Sequence, residues 1–265
     1  MRISLLRDPS EQPILIVTLL VILVVFVLVA GPSLCLVPLG AVLIVVLAYQ
    51  MNQAHHREIM RSATRITSQS APSLARLAAE CGQTLNTGPF ELYVLPARQL
   101  NAYTFGISSP RVVVLYSPLL KIMDASELSF ILGHELGHVV LNHTWINTLL
   151  GGMAGMPPSL GGAVIFTFAF RWWNRACEYS SDRAGLLACG SLEKAISALV
   201  KLVAGDVNTQ AELDLALQVL DAQDDSPVNV LAESLATHPM MIRRIEKLRE
   251  FAGSAEYRQM AAAGK

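Results

Sequence analysis

The chain has 265 residues, enough for one membrane anchor and one catalytic domain of ordinary size, with little to spare. Apolar residues make up 52% and charged residues 15%, which is too greasy for an average soluble domain, so a membrane segment is expected. The formal net charge is −1 and no basic stripe is present, which argues against nucleic acid and leaves lipid and protein or peptide as the expected partners. Cys35, Cys81, Cys177 and Cys189 show no paired spacing, so they read as free thiols in a reducing compartment.

From Ile14 to Tyr49 there is no charged residue, and Gly31-Pro32-Ser33 interrupts the run. Two helices are expected, at about 14–30 and 34–49, with Pro38 near the start of the second. At 1.5 Å per residue each reaches roughly 25 Å, near the lower limit for a bilayer. A signal peptide would end at a small-residue cleavage site, and the second apolar run fits a transmembrane helical hairpin better. Arg2 and Arg7 precede the run and Arg57, Arg61 and Arg65 follow it, so both ends are expected on the cytoplasmic side of an inner membrane. Residues 1–54 then form the anchor and residues 55–265 the catalytic domain.

Beyond the anchor, His55 to Leu85 has helical character with Pro72 as a break. Glu91–Leu95, Asn101–Phe105 and Arg111–Tyr116 read as short strands of a small sheet. Asp124-Ala125-Ser126-Glu127 has the form of a capping box and opens a helix expected to run through His143. Trp145 to Phe170 is uncharged and punctuated by glycine and proline. Further helices are expected at Arg175–Ala188, Leu192–Val203, Ala211–Leu220 and Pro239–Phe251, with an acidic loop from Asp221 to Pro227. The fold class is α+β, mostly helical.

His134-Glu135-Leu136-Gly137-His138 places two imidazoles four residues apart on one helix face, where both can bind one ion. Zinc lowers the pKa of a bound water to about 7, and a neighbouring carboxylate such as Glu135 can take its proton. A catalytic zinc needs a third protein ligand and an open position. The metzincin pattern would require Gly and His where Leu141 and Thr144 stand, so it fails. The other common pattern uses a Glu from a later helix, and Glu178 with Asp182 one turn on suits a ligand plus a carboxylate that fixes the tautomer of a liganding His.

Together with Glu178-Tyr179-Ser180-Ser181-Asp182-Arg183-Ala184, Thr237-His238-Pro239 and Asn101-Ala102-Tyr103, the His-Glu-x-x-His segment resembles the M48 metallopeptidases of the HtpX type over roughly residues 55–250. The resemblance implies a gluzincin-type fold, one bound zinc and endopeptidase activity, with His134, His138 and Glu178 as metal ligands and Glu135 as general base. It also implies that His238 stabilises an oxyanion, that Arg244 orients it or the site, and that Asn101 binds substrate backbone at a sheet edge. His143 is read as structural, and His55 and His56 as solvated residues at the anchor exit.

His138 and Glu178 bind one ion, so the chain between them crosses a membrane an even number of times. The 26 residues of 145–170 are too few for two spans of about 20 each. That stretch is expected to be a re-entrant or interfacial hairpin, an apolar lid, or a hairpin buried in the soluble domain, with Trp172 and Trp173 suited to a bilayer interface. The expected function is a membrane-anchored zinc endopeptidase acting on membrane or misfolded proteins, a substrate class implied by the resemblance. A non-catalytic membrane scaffold that keeps the fold, and a processing protease with one substrate, stay open.

Overall fold

A computed structural model describes residues 3–33, 36–106, 109–145, 161–205, 211–212, 215 and 240–263. The architecture is mostly helical α+β. The helices are α1 (Glu11–Ser33), α2 (Leu36–Ser62), α3 (Pro72–Leu85), α4 (Leu119–Ile122), α5 (Ala125–Val140), α6 (Gly161–Cys189), α7 (Leu192–Ala204), α8 (Met240–Ala252) and α9 (Ala255–Ala263). The strands are β1 (Thr64–Arg65), β2 (Phe90–Leu95), β3 (Ala102–Phe105) and β4 (Arg111–Tyr116).

The sheet has the order β1-β2-β4-β3. β2 and β4 run parallel, with Leu92 beside Val113, and β3 pairs antiparallel with β4, with Tyr103 beside Val114. β3 is therefore an edge strand. Val113, Val114 and Leu115 are fully buried, as the apolar run in β4 suggested. Pro72 starts α3 rather than breaking a helix: at the first helical position no N–H is needed, and the proline φ is already helical. The chain before it holds β1, a strand the periodicity did not reveal.

α5 lies at the centre. Asp124 accepts from the backbone of Ser126 and Glu127 while the Glu127 carboxylate accepts from Asp124 N–H, so the expected capping box forms. Every residue from Glu127 to Val139 is buried, the pattern of a helix enclosed on all sides. α7 is tied to its first turn by Lys201, which donates to Glu127 at 2.9 Å, and by Ser197, which donates to the same carboxylate at 2.7 Å. Along its other side runs α6, and the two approach closely because three crossing positions are glycine. A Cβ at Gly133 would stand 2.5 Å from the Ala188 Cβ, one at Gly137 2.8 Å from the Ala184 Cβ, and one at Gly185 2.8 Å from the Phe130 ring.

Two boundaries differ from expectation. α5 stops at Val140 rather than His143, because Asn142 takes a left-handed conformation with φ of 59° and turns the chain. α6 begins at Gly161, so the second part of the uncharged 145–170 stretch is the start of the helix that carries Glu178. Residues 146–160, which carry the rest of that stretch, lie outside the described residues, as do Cys35, most of Ala211–Leu220 and the Asp221–Pro227 loop. α9 was not anticipated.

The expected transmembrane hairpin is not found: among the described residues no helix is long and apolar enough to cross a membrane. The apolar run forms α1 and α2, each extending beyond its expected bounds at the polar end. Leu6 is fully buried in the main core, and Ile14, Leu15 and Ile22 pack against Phe170 and Trp173. Much of the remaining apolar surface of both helices is exposed, including Ile16, Leu20, Leu23 and Val27 on α1 and Leu39, Val42 and Leu43 on α2. Cys81, Cys177 and Cys189 are free thiols, and burial raises the pKa of each.

Candidate metal centre

The close crossing of α5 and α6 brings three donor side chains to one point. His134 Nε2 lies 3.3 Å from His138 Nε2. One oxygen of Glu178 lies 3.3 Å from His134 Nε2 and the other 3.4 Å from His138 Nε2. Zinc–nitrogen and zinc–oxygen bonds are about 2.0–2.2 Å, so tetrahedral ligand atoms stand about 3.3–3.5 Å apart. The observed spacing fits that figure, and two histidines plus one carboxylate are a donor set of catalytic zinc. His134 and His138 are buried while Glu178 is half-buried, which leaves one side of the site open.

Each histidine is held from behind. His134 Nδ1 meets Asp182 Oδ1 at 2.9 Å, so with Nε2 facing the metal its Nδ1–H donates to the carboxylate. Arg244 on α8 grips Asp182 through two hydrogen bonds, of 2.8 and 2.6 Å, and reaches Glu178 at 3.3 Å. Burial would push both carboxyls up in pKa, but the Arg244 guanidinium outweighs it and holds Asp182 and Glu178 below their ordinary values. Burial also opposes charge on His134, yet Glu178 and Asp182 beside it raise its pKa to about 10. His138 Nδ1 meets His143 Nδ1 at 3.1 Å. Burial, followed by the charges of His138 and Arg7, pushes the His143 pKa down to about 2, so this imidazole is neutral.

Glu135 faces a cleft of about 320 Å³, walled by His134, His138 and Glu178 on one side and by Asn101–Thr104 on the other. Thr104 donates to Glu135 Oε2 at 2.7 Å, fixing the carboxylate from the edge strand. Asn101 is exposed at the cleft rim, and its carbonyl accepts from Tyr116 N–H at 3.0 Å. Of the residues predicted from sequence, His134, Glu135, His138, Glu178, Arg244 and Asn101 line this cleft, and Asp182 lies buried behind His134. His238 lies outside the described residues. Sequence reasoning missed Thr104, whose hydroxyl carried no signal, and left His143 as merely structural, although a histidine one turn past the motif could have drawn attention. His56, expected to be solvated, is buried and stacks on Phe105 at 3.7 Å.

A capped buried helix with two histidines, a carboxylate from a second helix and a further carboxylate in an open cleft could hold a zinc ion and supply a base beside it. The sequence model described as Peptidase family M48 matches residues 67–252. The chain belongs to that family. It is 30% identical over 201 residues to the plastoglobule-localized metallopeptidase 48 of Arabidopsis thaliana, covering 69% of this chain and 58% of the plant protein, less than two thirds of its length. It is 23% identical over 229 residues to a protease HtpX homolog of Aquifex aeolicus, covering 73% and 76% of the two chains. A protease HtpX homolog of Ralstonia pickettii is 25% identical over 230 residues, covering 75% and 80%.

Proposed function

We propose that this protein is an endopeptidase that hydrolyses peptide bonds of membrane or misfolded proteins at a membrane surface, with His134, His138 and Glu178 as zinc ligands and Glu135 as general base. The observation that carries the reading is the convergence of His134, His138 and Glu178, whose facing nitrogens and carboxylate oxygens approach to 3.3–3.4 Å, beside the Glu135 carboxylate in an open cleft. Zinc supplies Lewis acidity there, making a water acidic and polarising a peptide carbonyl. Glu135 accepts the proton of the attacking water and delivers it to the departing amine, and Thr104 keeps its carboxylate aimed. The β3 edge and Asn101 hold the substrate backbone as an added strand. The oxyanion role of His238 rests on the sequence resemblance alone.

Attachment to lipid is supported by the apolar side chains that α1 and α2 leave exposed, among them Ile16, Leu20, Leu23, Val27, Leu39, Val42 and Leu43. The arginines flanking the run favour the cytoplasmic face. Glu135→Gln should retain one zinc per chain and lose casein hydrolysis by about 10²- to 10⁴-fold. Wild-type rates in that variant would sink the mechanism, and zinc-loaded wild-type protein that cleaves no unfolded substrate would favour the scaffold reading. Flotation with lipid vesicles tests attachment: the protein should rise with the vesicles, and protein left at the bottom of the gradient would overturn it.

A further inference from the structure

His134 has the arrangement usual for a metal-binding histidine, a carboxylate behind the outer nitrogen. His138 has another imidazole there instead, and the chain of contacts continues. His143 Nε2 lies 3.2 Å from Glu11 Oε1. The tautomers along this line follow from its end. With Nε2 of His138 facing the ion, its Nδ1 carries the proton and donates to His143 Nδ1. His143 then carries its own proton on Nε2 and donates it to Glu11. Every donor meets an acceptor, and the pattern reads in one direction only.

Glu11 opens α1 and is 132 residues away from His143 in sequence. It is completely buried, and its carboxylate also accepts from Ser180 and from Arg7. The surrounding contacts bind the same segment to the two metal-bearing helices. The Asp8 backbone N–H donates to Ser180 Oγ at 2.8 Å. Arg183 donates to the Asp8 carboxylate and to the Arg7 carbonyl, each at 2.9 Å. Arg7 donates to the Leu141 carbonyl at 2.7 Å, at the end of α5. Ser180 and Arg183 lie in the same stretch of α6 as Glu178 and Asp182.

We propose that the segment Arg7–Glu11 is a working part of the metal centre: Glu11, acting through His143, positions the zinc ligand His138, so that zinc binding and the docking of α1 are coupled. Glu11 and His143 are positioning residues, since neither reaches the ion or the cleft. The inference rests on zinc binding by His134, His138 and Glu178 and is indifferent to whether peptides are cleaved. By reciprocity, an ion that binds better when α1 is docked must strengthen that docking by the same factor. Glu11, His143 and Cys177 also place three ligand atoms within 4.8 Å of one another. Arg7 already supplies the positive charge for Glu11, which favours the relay over a second ion.

The experiment uses the full chain in detergent, with Zn²⁺ titrated against a chelator and Co²⁺ as a spectroscopic substitute. Glu11→Gln and His143→Leu should each weaken zinc binding about 10- to 100-fold, the usual effect of removing an outer partner of a ligand. Both should shift the visible spectrum of the cobalt protein. His143→Asn, whose side-chain oxygen can accept from His138, should restore part of the loss and guard against a folding artefact. The double variant Glu11→Gln with His143→Leu should bind no worse than His143→Leu alone. Zinc should slow hydrogen exchange of the amides from Asp8 to Ile14 in the wild type and leave it unchanged in His143→Leu. Unaltered zinc affinity in Glu11→Gln, or an equal loss from Glu11→Gln in the His143→Leu background, overturns the relay. Two zinc ions per chain, falling to one in Glu11→Gln, overturn it in favour of a second site. A wild-type chain that holds no zinc would remove the metal centre itself, and the coupling with it.

Discussion

Gly137 lies between His134 and His138 on α5, and Gly137→Ala tests whether the helix crossing builds the site. In an unconstrained helix this change stabilises by about 1 kcal/mol, because glycine is the poorer helix former. Here the new Cβ would stand 2.8 Å from the Ala184 Cβ, 3.0 Å from the Ser181 Cα and 3.3 Å from the Ser181 carbonyl oxygen. Carbon atoms settle about 3.5–4.0 Å apart, so α5 and α6 must separate by roughly 0.7 Å or more. Backbone atoms are among those struck, so no side-chain rotation relieves the clash.

Glu178 precedes Ser181 on α6 by less than a turn and moves with it. A shift of that size exceeds the tolerance of about 0.2 Å on a metal–ligand distance. Overpacking costs about 1–3 kcal/mol. Gly137→Ala should therefore lower the melting temperature of the zinc-free protein by a few degrees and weaken zinc binding by roughly 100-fold or more, a loss worth about 2.7 kcal/mol. Chelator competition and calorimetry on the same sample read the two effects. Gly40→Ala on α2 is the control, since a Cβ there meets nothing within 4 Å, and it should leave zinc affinity unchanged. Should Gly137→Ala hold zinc as tightly as the wild type and melt higher, the close crossing is not what positions Glu178.

Thr104→Val removes the 2.7 Å hydrogen bond to Glu135 with little change of shape and should lower kcat about tenfold at constant zinc content, as loss of a bond to a charged group predicts; an unchanged kcat in a peptidase assay would show that Glu135 is aimed by something else. Arg244→Met leaves Asp182 buried without its cation and should cost about 3–5 kcal/mol in urea denaturation, whereas wild-type stability would mean that Asp182 is neutral in the fold. Because Glu178 and Asp182 raise the His134 pKa to about 10, the zinc-free site holds a proton at neutral pH that zinc must displace. Zinc affinity should rise with pH up to that value, with about one proton released per ion, measurable by calorimetry in buffers of differing ionisation enthalpy. For the zinc-free fold the sign is opposite: a raised histidine pKa stabilises fully below about 6.5, and that contribution is lost as pH climbs toward 10. A melting temperature that rises over this range would contradict the assignment.

The parts legible in the sequence are those governed by local rules. The capping box, the four-residue spacing of His134 and His138, and the Val-, Leu- and Tyr-rich runs that mark β2 and β4 depend on neighbours within a turn or a strand. Glu178 and Asp182 were within reach because a catalytic zinc site lacking a third ligand has to find one. The rest depends on tertiary contact. Nothing within ten residues announces that Asn142 turns left-handed and folds His143 back on His138, or that the Thr104 hydroxyl meets Glu135 from another element. Glu11 was hidden differently: standing just before an apolar run, it read as a flank of the anchor, while its partners lie 132 and 169 residues further on.

The stretch 178–185 of α6 explains why so many roles crowd one short sequence. A helix turns by about 100° per residue, so positions three or four apart share a face. Glu178 and Asp182 form one stripe, turned toward the metal and Arg244. Ser181 and Gly185 form a second, pressed against Gly137 and Phe130 of α5. Ser180 and Arg183 form a third, holding Asp8, Glu11 and the Arg7 carbonyl. The second stripe sets the depth of the crossing and so decides whether the first can close on an ion. The third fixes the segment whose carboxylate reaches His143 behind His138. The metal centre is thus assembled from three elements by about two turns of helix, and the N-terminal segment belongs to it as much as to any anchor.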